Sequence, residues 1–434
     1  MAKVVFFGFP AFGHIAPTIG LVKELILRGE EVFYYCTQEY QPKIEGMGAN
    51  FRDYHILLDK NSSSWDKFME ENAEKRIDDM KELYDIWLKK LSLTMAIIQN
   101  PEFDIQQEIG AIEPDYIIHD SAALWGKIIA RNFNVPAVSS ITTFAYCDEL
   151  FEIAPALIIK DGLWLSDKFL NNIPATRRMI ELLSRKIGKT LSIEDSNYLY
   201  FSKEGLNLVY TSLEFQIFGE VFDSQFKFVG SSVTQRNDEV DFPMELLGEN
   251  KIIYISLGSI CSSFDHFINF YRKCFEALGK TDSQVVLVTG RIERAALGEI
   301  PENFLVKSFV PQIEILQRAD LFITHGGMNS VNESLYFHVP MIIIPQFSDQ
   351  HLNAKRVVEL GAGISFENME FTSSELAVAI HNILSDESFR RNAERIGESL
   401  KAAGGSKRAA DEIFLYKERH GITKERDRFC ALPY

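Results

Sequence analysis

The chain has 434 residues, of which 46% are hydrophobic and 24% are charged, and this composition excludes disordered, collagen-like and coiled-coil proteins. At roughly 150 residues per domain, the length predicts two or three domains. The formal net charge is −16, from 45 Lys and Arg against 61 Asp and Glu, so nucleic acid is a poor partner for the chain.

The cysteines are scattered and form no CxxC pair, which argues against a disulfide framework and against a zinc site. We expect buried, unreactive thiols at Cys36, Cys147, Cys261, Cys274 and Cys430. The apolar N-terminus is interrupted by Gly8 and Pro10, which indicates a buried strand and not a signal peptide. No segment approaches the ~18 apolar residues of a membrane span. Together these features predict a cytoplasmic protein.

The first half of the chain begins with a strand–helix–strand pattern, and further elements follow it. The predicted elements are strands at 3–7, 31–35, 115–120 and 137–140 and helices at 15–28, 62–90 and 122–133. Such βαβ units predict a parallel sheet with its ligand site at the carboxyl ends of the strands. Residues 151–200 do not fit a βα repeat, and we interpret them as an excursion from this core.

A polar stretch at about 231–248, which contains Pro243, is the best candidate for a linker. A second βα series follows it. Its predicted elements are strands at 252–257, 284–288, 305–309, 321–324 and 341–344 and a helix at 267–278. Thr372 and Glu375 have the spacing of a capping box and predict the start of a late helix. The sequence therefore predicts an α/β protein with two halves of similar size.

The loop from Gly8 to Gly13 has the glycine spacing of a P-loop, but His14 and Ile15 stand where a P-loop has Lys and Ser or Thr. This difference excludes a kinase or an ATPase, and the absence of GxGxxG weakens a dehydrogenase hypothesis. His14 begins a helix, whose dipole disfavours the cationic form of the imidazole. It is therefore a candidate general base near pH 7. The alternative is a capping or core histidine.

Asp120 ends another strand of the same predicted sheet, at the same edge as His14. An Asp there can accept a hydrogen bond from the far ring nitrogen of His14 and stabilise the imidazolium. The alternative is that Asp120 caps the helix that follows. Because no Ser or Cys nucleophile accompanies the pair, it suits activation of an incoming hydroxyl group. His119 alternates to the other side of the strand, and we interpret it as structural.

Features of a phosphate site lie in the second half, between a predicted strand and a helix. The segment from His325 to Ser330 supplies glycines for close backbone approach, the free N–H groups of a helix start and the Asn329 side chain. Ser259 follows a glycine at the end of another strand and can act similarly. Glu333 lies one turn into the helix, where its carboxylate can accept hydrogen bonds from a ribose diol. The alternative is a tight turn with a surface Glu.

At these residues the chain resembles the nucleotide-sugar-dependent glycosyltransferases of the GT-B fold, especially the bacterial macrolide type, which is related to plant secondary-product glucosyltransferases. The resemblance covers nearly the whole chain. Its long motif matches at Phe309-Val310-Pro311-Gln312, Ile315-Leu316, His325-Gly326-Gly327-Met328-Asn329-Ser330, Glu333, Val339-Pro340, Pro345 and Asp349-Gln350. The family implies two Rossmann-like domains facing across a cleft. The implied divisions are an acceptor domain at 1–230, a linker at 231–250, a nucleotide-sugar domain at 251–405, and a helix and tail at 406–434 that cross back to the first domain.

The resemblance also implies roles for individual residues, with His14 as the general base and Asp120 as its partner. The implied donor-binding residues are Ser259, Arg291, Phe309, Val310, Gln312, His325, Gly327, Asn329, Ser330, Glu333, Asp349 and Gln350. Within this set, Phe309 is implied to stack on the uracil and Glu333 to hold the ribose hydroxyls.

Two positions depart from the plant pattern, because Phe309 and Met328 stand where plant members have Trp. The smaller ring of Phe309 can still stack on a base, with lower affinity or selectivity. Gln350 resembles the glucose-using members, and with Asp349 it is implied to contact the donor sugar.

The resemblance implies an inverting, metal-independent transfer of a sugar, glucose by the Gln350 clue, from a UDP-sugar to a hydroxyl group of a small hydrophobic acceptor such as a flavonoid, macrolide, terpenoid or phenol. No cofactor is expected, and the absence of any Asp-x-Asp motif disfavours a metal-chelated diphosphate. The expected partners are the UDP-sugar and the acceptor, without nucleic acid or membrane span, and the expected state is a monomer or weak dimer. The alternatives are a sugar-nucleotide epimerase of the same fold, a non-catalytic nucleotide-sugar binder and a dehydrogenase.

The acceptor pocket is expected in the first half, at aromatic and aliphatic side chains near the predicted base. The candidates are Phe9, Phe12, Trp65, Ile141, Phe144 and Trp164. For each of them the alternative is core or lid packing. The same question applies to the 33 Phe of the chain, which either fill the core or line an apolar pocket.

Overall fold

The structure is a computed structural model, and it describes residues 1–55, 94, 97–98, 103–154, 203–233, 242–258, 267–346 and 349–422. Several predicted features lie outside the described residues: the helix at 62–90, most of the excursion at 151–200, part of the linker, and Trp65, Trp164 and Ser259. The described residues form two separate parallel β-sheets with helices packed on both faces, which confirms the predicted α/β class.

Seven parallel strands form the first sheet, in the order β3-β2-β1-β4-β5-β6-β7. They are β1 (Lys3–Phe7), β2 (Glu31–Cys36), β3 (Asn50–Asp53), β4 (Tyr116–Asp120), β5 (Ala137–Ile141), β6 (Leu206–Val209) and β7 (Phe226–Phe228). Because β1 pairs with β2 on one side and β4 on the other, the strand order reverses there. The carboxyl ends of β1 and β4 are neighbours at this switch point, where ligands bind in sheets of this kind.

The described helices of the first half are α1 (Phe12–Ile15), α2 (Ile19–Leu27), α3 (Gln41–Glu45), α4 (Ile105–Ile112), α5 (Leu124–Phe133) and α6 (Asp148–Ile153). The predicted helix at 15–28 was wrong at its start, because helical structure begins at Phe12 and a 3-10 turn at Ala16–Thr18 divides it. Pro17 lies in this turn and has no backbone N–H, so the α-helical hydrogen bonds are interrupted there. The earlier start places His14 in the first helical turn.

Six parallel strands form the second sheet, in the order β10-β9-β8-β11-β12-β13. They are β8 (Ile252–Ser256), β9 (Gln284–Val288), β10 (Phe304–Lys307), β11 (Leu321–Thr324), β12 (Met341–Ile343) and β13 (Gly363–Ser365). This order reverses between β8 and β11, so the carboxyl ends of those strands are neighbours. The predicted strand at 305–309 ends earlier, at Lys307, which leaves Phe309 in the following loop.

The described helices of the second half are α7 (Phe267–Leu278), α8 (Gln312–Leu316), α9 (Met328–Tyr336), α10 (Gln350–Glu359), α11 (Ser373–Ser385), α12 (Glu387–Ala402) and α13 (Gly405–Arg419). The predicted capping box at the start of α11 is confirmed. The Thr372 hydroxyl accepts from the Glu375 amide at 3.2 Å, and the Glu375 carboxylate accepts from the Thr372 amide at 2.7 Å.

One apolar cluster joins the two halves of the molecule. Phe144 and Phe215 of the first half are fully buried, and their rings stack at 5.5 Å. They share this cluster with Tyr254 and Phe322 of the second sheet, whose rings stack at 4.6 Å. Burial of aromatic surface is the largest stabilising contribution that such a cluster makes. The two halves are therefore held together through this apolar cluster.

Helix α13 returns to the first half and packs on α2. Its residues Ala409, Ala410 and Ile413 are fully buried in the same apolar cluster as Leu25 of α2. The Lys417 ammonium donates to Glu30 Oε1 at 2.5 Å, and both residues are 4% exposed. Since a charge buried without its partner is costly, this ion pair fixes the register of α13 on the first half.

Three cysteines fall within the described residues, and the expected buried free thiol is confirmed at each of them: Cys36, Cys147 and Cys274. Burial raises the pKa of Cys36 to about 12 and that of Cys147 to about 11. Cys261 and Cys430 lie outside the described residues. No helix in the described part of the chain is long and apolar enough to cross a membrane.

Candidate active site

His14 and Asp120 meet at the switch point of the first sheet. His14 lies in α1, directly after the loop that follows β1, and its side chain is 22% exposed. Its Nδ1 atom lies 2.9 Å from Oδ2 of Asp120, the last residue of β4. An ionised carboxylate can only accept, so Nδ1 carries the proton, and Nε2 is the basic nitrogen of the neutral ring.

The Asp120 carboxylate is held on both sides. Its side chain is 1% exposed, and Oδ1 accepts a hydrogen bond of 2.7 Å from the amide of Ala122. One oxygen of Asp120 thus contacts His14, as predicted, and the other holds the turn before α5. The alternative that Asp120 caps this helix is wrong, because the N-cap residue is Ala123, which makes no side-chain capping hydrogen bond. A carboxylate fixed in this way keeps the imidazole in one tautomer and one orientation.

Thr142 is a third member of this cluster, and the sequence analysis missed it. It follows β5, the next strand of the sheet, and its hydroxyl lies 3.0 Å from Nδ1 of His14. Its position one residue after a strand end, at the same sheet edge as Asp120, was the available signal. Phe9 packs against the other side of the cluster, with its ring 4.9 Å from the imidazole of His14.

His119 points away from this cluster, as the alternation along β4 predicted. It is fully buried, and its Nε2 atom lies 3.3 Å from Oε1 of Glu204. Burial alone would raise the pKa of Glu204, but the His119 hydrogen bond and the charge of Lys127 outweigh burial and lower it. His119 therefore belongs to a buried polar cluster on the far face of the sheet.

His325 lies at the switch point of the second sheet, where β11 ends beside β8. Its ring is enclosed by the backbone of two glycines, because a Cβ atom placed on Gly258 or on Gly327 would come within 2.7 Å of it. Burial lowers the pKa of His325 to about 4. The imidazole is therefore neutral at pH 7 and offers an N–H donor, and not a full cation, beside the N-terminus of α9.

Glu333 and Gln312 form the next part of this site. Glu333 lies in α9 and is 3% exposed, and its Oε2 atom accepts a hydrogen bond of 2.6 Å from the Gln312 side chain. Gln312 in turn accepts from the hydroxyl of Tyr254 at 3.0 Å. This chain of hydrogen bonds orients the carboxylate of Glu333.

Phe309 and Val310 follow β10 and differ sharply in exposure. The ring of Phe309 is 52% exposed, whereas Val310 is buried at 3%. An exposed aromatic ring held by a buried neighbour is suited to stacking on a flat ligand. Arg291 lies in the loop after β9 and is exposed, beside the buried Thr289 and Gly290 with φ +59°.

Residues at the start of α10 connect to the glycine loop after β11. Asn353 donates to the carbonyl of Gly326 at 2.9 Å and to Asp349 Oδ2 at 3.1 Å. Gln350 is 4% exposed and accepts from the amide of Gln346 at 2.8 Å. The structure thus brings Asp349, Gln350 and the His325 loop together at one sheet edge, with Ser330 close by in α9 and 9% exposed.

The two halves meet across this edge. Asn329, in the first turn of α9, donates a hydrogen bond of 2.8 Å to the carbonyl of Gly13, the residue before His14. Tyr146 of the first half lies near Asp349 of the second; burial raises the pKa of the phenol, and the Asp349 carboxylate raises it further. Tyr146 was not among the sequence candidates. These contacts place the loop of His14 beside the glycine loop of the second half.

The four acceptor candidates within the described residues lie in different surroundings. Phe9 is 3% exposed and packs against the imidazole of His14. Phe12 is partly exposed, and Nζ of Lys43 lies 4.2 Å from the centre of its ring. Phe144 is fully buried against Phe215, and Ile141 is 6% exposed in the same apolar cluster. These positions correct the expectation for Ile141 and Phe144, which are core residues because the cluster between the two halves takes up their apolar surface.

Comparison with known proteins agrees with this geometry. Residues 272–411 match the family model described as erythromycin biosynthesis protein CIII-like, C-terminal domain. Over 414 residues the chain is 36% identical to the uncharacterized UDP-glucosyltransferase YojK of Bacillus subtilis (strain 168), with 95% of this chain and 97% of that protein covered. The chain belongs to the UDP-dependent glycosyltransferase family.

A second relative and a solved structure support the same family and its fold. The demethyllactenocin mycarosyltransferase of Streptomyces fradiae is 28% identical over 418 residues, which cover 95% of this chain and 86% of that protein. The crystal structure of CalG4, the calicheamicin glycosyltransferase, aligns with a TM-score of 0.76 at 24% identity and covers 96% of this chain and 99% of that one. The predicted GT-B fold of this glycosyltransferase is thereby confirmed.

Proposed function

We propose that this glycosyltransferase transfers glucose from UDP-glucose to a hydroxyl group of a small hydrophobic natural product, with inversion at the anomeric carbon. The observation that carries the proposal is the His14–Asp120 pair, in which Asp120 accepts from Nδ1 of His14 beside the Gly13 carbonyl that Asn329 contacts. The names of the relatives support the substrates: YojK is named a UDP-glucosyltransferase, and the S. fradiae relative is named a demethyllactenocin mycarosyltransferase.

In the proposed reaction, His14 Nε2 takes the proton of the acceptor hydroxyl as the acceptor oxygen forms a bond to the anomeric carbon. The bond from that carbon to the phosphate oxygen breaks on the opposite face, and UDP leaves with the electron pair. Asp120 stabilises the imidazolium that forms. A base of this kind contributes about 10² to 10⁴ in rate.

The leaving diphosphate is proposed to be stabilised by neutral dipoles. The N-terminus of α9 points free amide N–H groups at the site, and His325 adds a ring N–H because burial keeps it neutral. Ser330 supplies a hydroxyl group. With these donors in place we propose that no metal is needed, which assays with and without EDTA test directly.

On the donor side, Phe309 is proposed to stack on the uracil, Gln312 to contact the nucleoside, and Glu333 to bind the ribose hydroxyls. Asp349 and Gln350 are proposed to contact the glucose hydroxyls. Two observations support this assignment: Gln312 and Glu333 are hydrogen-bonded to each other, and Asp349 and Gln350 lie at the start of α10, held by Asn353 and by the backbone amide of Gln346.

The test is a turnover assay with UDP-glucose and a panel of flavonoids, macrolides, terpenoids and phenols, read as the mass gain of one hexose. Nuclear magnetic resonance of the product gives the anomeric configuration, which should be β if the donor is α-linked. His14→Ala should lower kcat by about 10² to 10⁴. The control is His381→Ala, which removes an exposed histidine of α11 and should leave kcat unchanged.

Two rival functions give different results in the same assay. A sugar-nucleotide epimerase would convert UDP-glucose to another nucleotide sugar or to free UDP without any acceptor. A non-catalytic binder would show UDP binding by calorimetry and no hexose transfer to any acceptor. Near-wild-type turnover of His14→Ala would leave glycosyl transfer standing but remove His14 as the base.

A further inference from the structure

Helix α9 contacts the first half of the molecule through two asparagines that lie one turn apart. Asn332 is 2% exposed, and its Oδ1 atom accepts from the hydroxyl of Thr211 at 2.9 Å. Its Nδ2 atom donates to the carbonyl of Tyr210 at 3.0 Å. Because both ends of a buried amide are satisfied by the segment after β6, the position of α9 relative to the first half is fixed.

Asn329 lies three residues earlier, on the same face of α9. Its Nδ2 atom donates to the carbonyl of Gly13 at 2.8 Å. Gly13 is the residue before His14 in α1, which has only four residues and no side-chain hydrogen bond at its N-cap, Ala11. The Asn329 amide therefore supplies a restraint that this short helix does not supply itself.

The geometry points to Asn329 as a positioning residue that holds the loop of His14 in place from the donor-binding half. This inference rests on the proposed role of His14 as the general base. Proton transfer needs Nε2 of His14 within hydrogen-bond reach of the acceptor hydroxyl, so a shift of the Gly13–His14 loop lowers the rate without changing the nucleotide contacts. Asn332 fixes the position of α9 relative to the first half, and Asn329 then fixes the position of Gly13, the residue before His14, relative to α9.

The alternative role of Asn329 is that of a diphosphate ligand, as the family resemblance implies. The two roles predict different measurements. A diphosphate ligand affects UDP affinity, and it stabilises the leaving group whether or not a base is present. A residue that acts through His14 affects kcat only while His14 is there, so the effects of the two substitutions are not additive.

The experiment is a double-mutant cycle with the wild-type chain, Asn329→Ala, His14→Ala and the double variant. For each protein, kcat is measured with UDP-glucose and an accepted phenol, and the Kd of UDP is measured by calorimetry. We expect Asn329→Ala to lower kcat about tenfold, to change the Kd of UDP by less than about twofold, and to cause no further loss in the His14→Ala background.

A matched control is Asn392→Ala. Asn392 also donates from a side-chain amide to a glycine carbonyl, that of Gly361 at 3.1 Å, but it lies in α12, remote from His14. This variant should keep wild-type kcat and UDP affinity. Since Asn329 is partly exposed, its Ala variant should fold, and an unchanged Tm verifies this.

The outcomes separate this inference from the proposed function. An unchanged kcat for Asn329→Ala, or an equal loss in both backgrounds, overturns the positioning role, as does a rise in the Kd of UDP that matches the fall in kcat. An active His14→Ala variant instead contradicts the proposed base, whatever Asn329 does.

Discussion

Nδ1 of His14 lies 2.9 Å from Oδ2 of Asp120, although the two residues are 106 positions apart in the chain. The contact exists because β1 and β4 are neighbours in the sheet and both end at its switch point. It assigns the proton to Nδ1 and the basic lone pair to Nε2, which is the arrangement that a general base requires.

Asp120→Asn tests this assignment. The amide of Asn can donate to Nδ1, which moves the ring proton to Nε2 and leaves no base facing the acceptor. We expect kcat to fall by about 10² to 10⁴, with a smaller change in the Kd of UDP. Asp411→Asn, which neutralises an exposed carboxylate of α13, is the control and should leave kcat unchanged. A fully active Asp120→Asn variant would show that the tautomer does not matter.

Phe309→Ala removes the proposed stacking surface for the base. Base–aromatic stacking is worth about 1–3 kcal/mol, so the Kd of UDP should rise about five- to 150-fold. The ring is 52% exposed, so Tm should change little. Phe309→Trp should lower the Kd, because the larger ring covers more of the base. Calorimetry with UDP measures the Kd for both variants. An unchanged Kd in each would show that the uracil does not stack on Phe309.

The pKa of His325, lowered to about 4 by burial, makes stability depend on pH. Between about pH 6.5 and 4, the unfolded chain binds a proton on this residue and the folded chain does not. Above about pH 6.5, His325 therefore does not make the free energy of unfolding depend on pH. Between about pH 6.5 and 4, the free energy of unfolding falls as the pH falls. Urea unfolding at pH 7.0 and 4.5 should show a smaller loss for His325→Asn than for the wild-type chain. Equal losses in the two proteins would contradict the buried neutral imidazole.

Lys417→Met tests the ion pair between α13 and the first half. It leaves the Glu30 carboxylate buried without its partner, which costs about 3–5 kcal/mol of stability. Adding Glu30→Gln removes that charge and should recover part of the loss. Urea denaturation of the single and double variants measures both effects. If the double variant is as unstable as the single one, the cost lies in lost packing and not in the buried charge.

Much of the fold could be predicted from the sequence, because its signals are local. The strands at 3–7, 284–288 and 321–324 are short apolar runs, and the structure has the same boundaries. The capping box at Thr372 is also a matter of spacing alone. The predicted start of the first helix was wrong because the effect of Pro17 was not taken into account. The helical segment begins at Phe12, and the 3-10 turn that contains Pro17 divides it.

The contacts between distant segments could not be predicted in this way. The sequence around Thr142 shows only that this residue follows a strand, and nothing near Asn332 indicates a contact with Thr211. The Thr142 contact depends on the order of β1, β4 and β5 in the first sheet. The Asn332 contact depends on how the two halves pack, and so does the burial of Phe144, an acceptor candidate that lies in the core of the interface. Composition alone could not divide core aromatic residues from site residues, whereas the structure buries Phe144 in the core and leaves Phe309 exposed.

The return of α13 to the first half has a consequence for building hybrid enzymes from relatives of this family. A single crossover after residue 230 would attach a foreign nucleotide-binding half together with a foreign last helix. The foreign helix would replace Lys417 and Asp411, so its own side chains would face Glu30 and Arg28 of the first half. A hybrid with two junctions, one before β8 and one before Gly405, would keep the native helix with α2 and exchange only the donor-binding part.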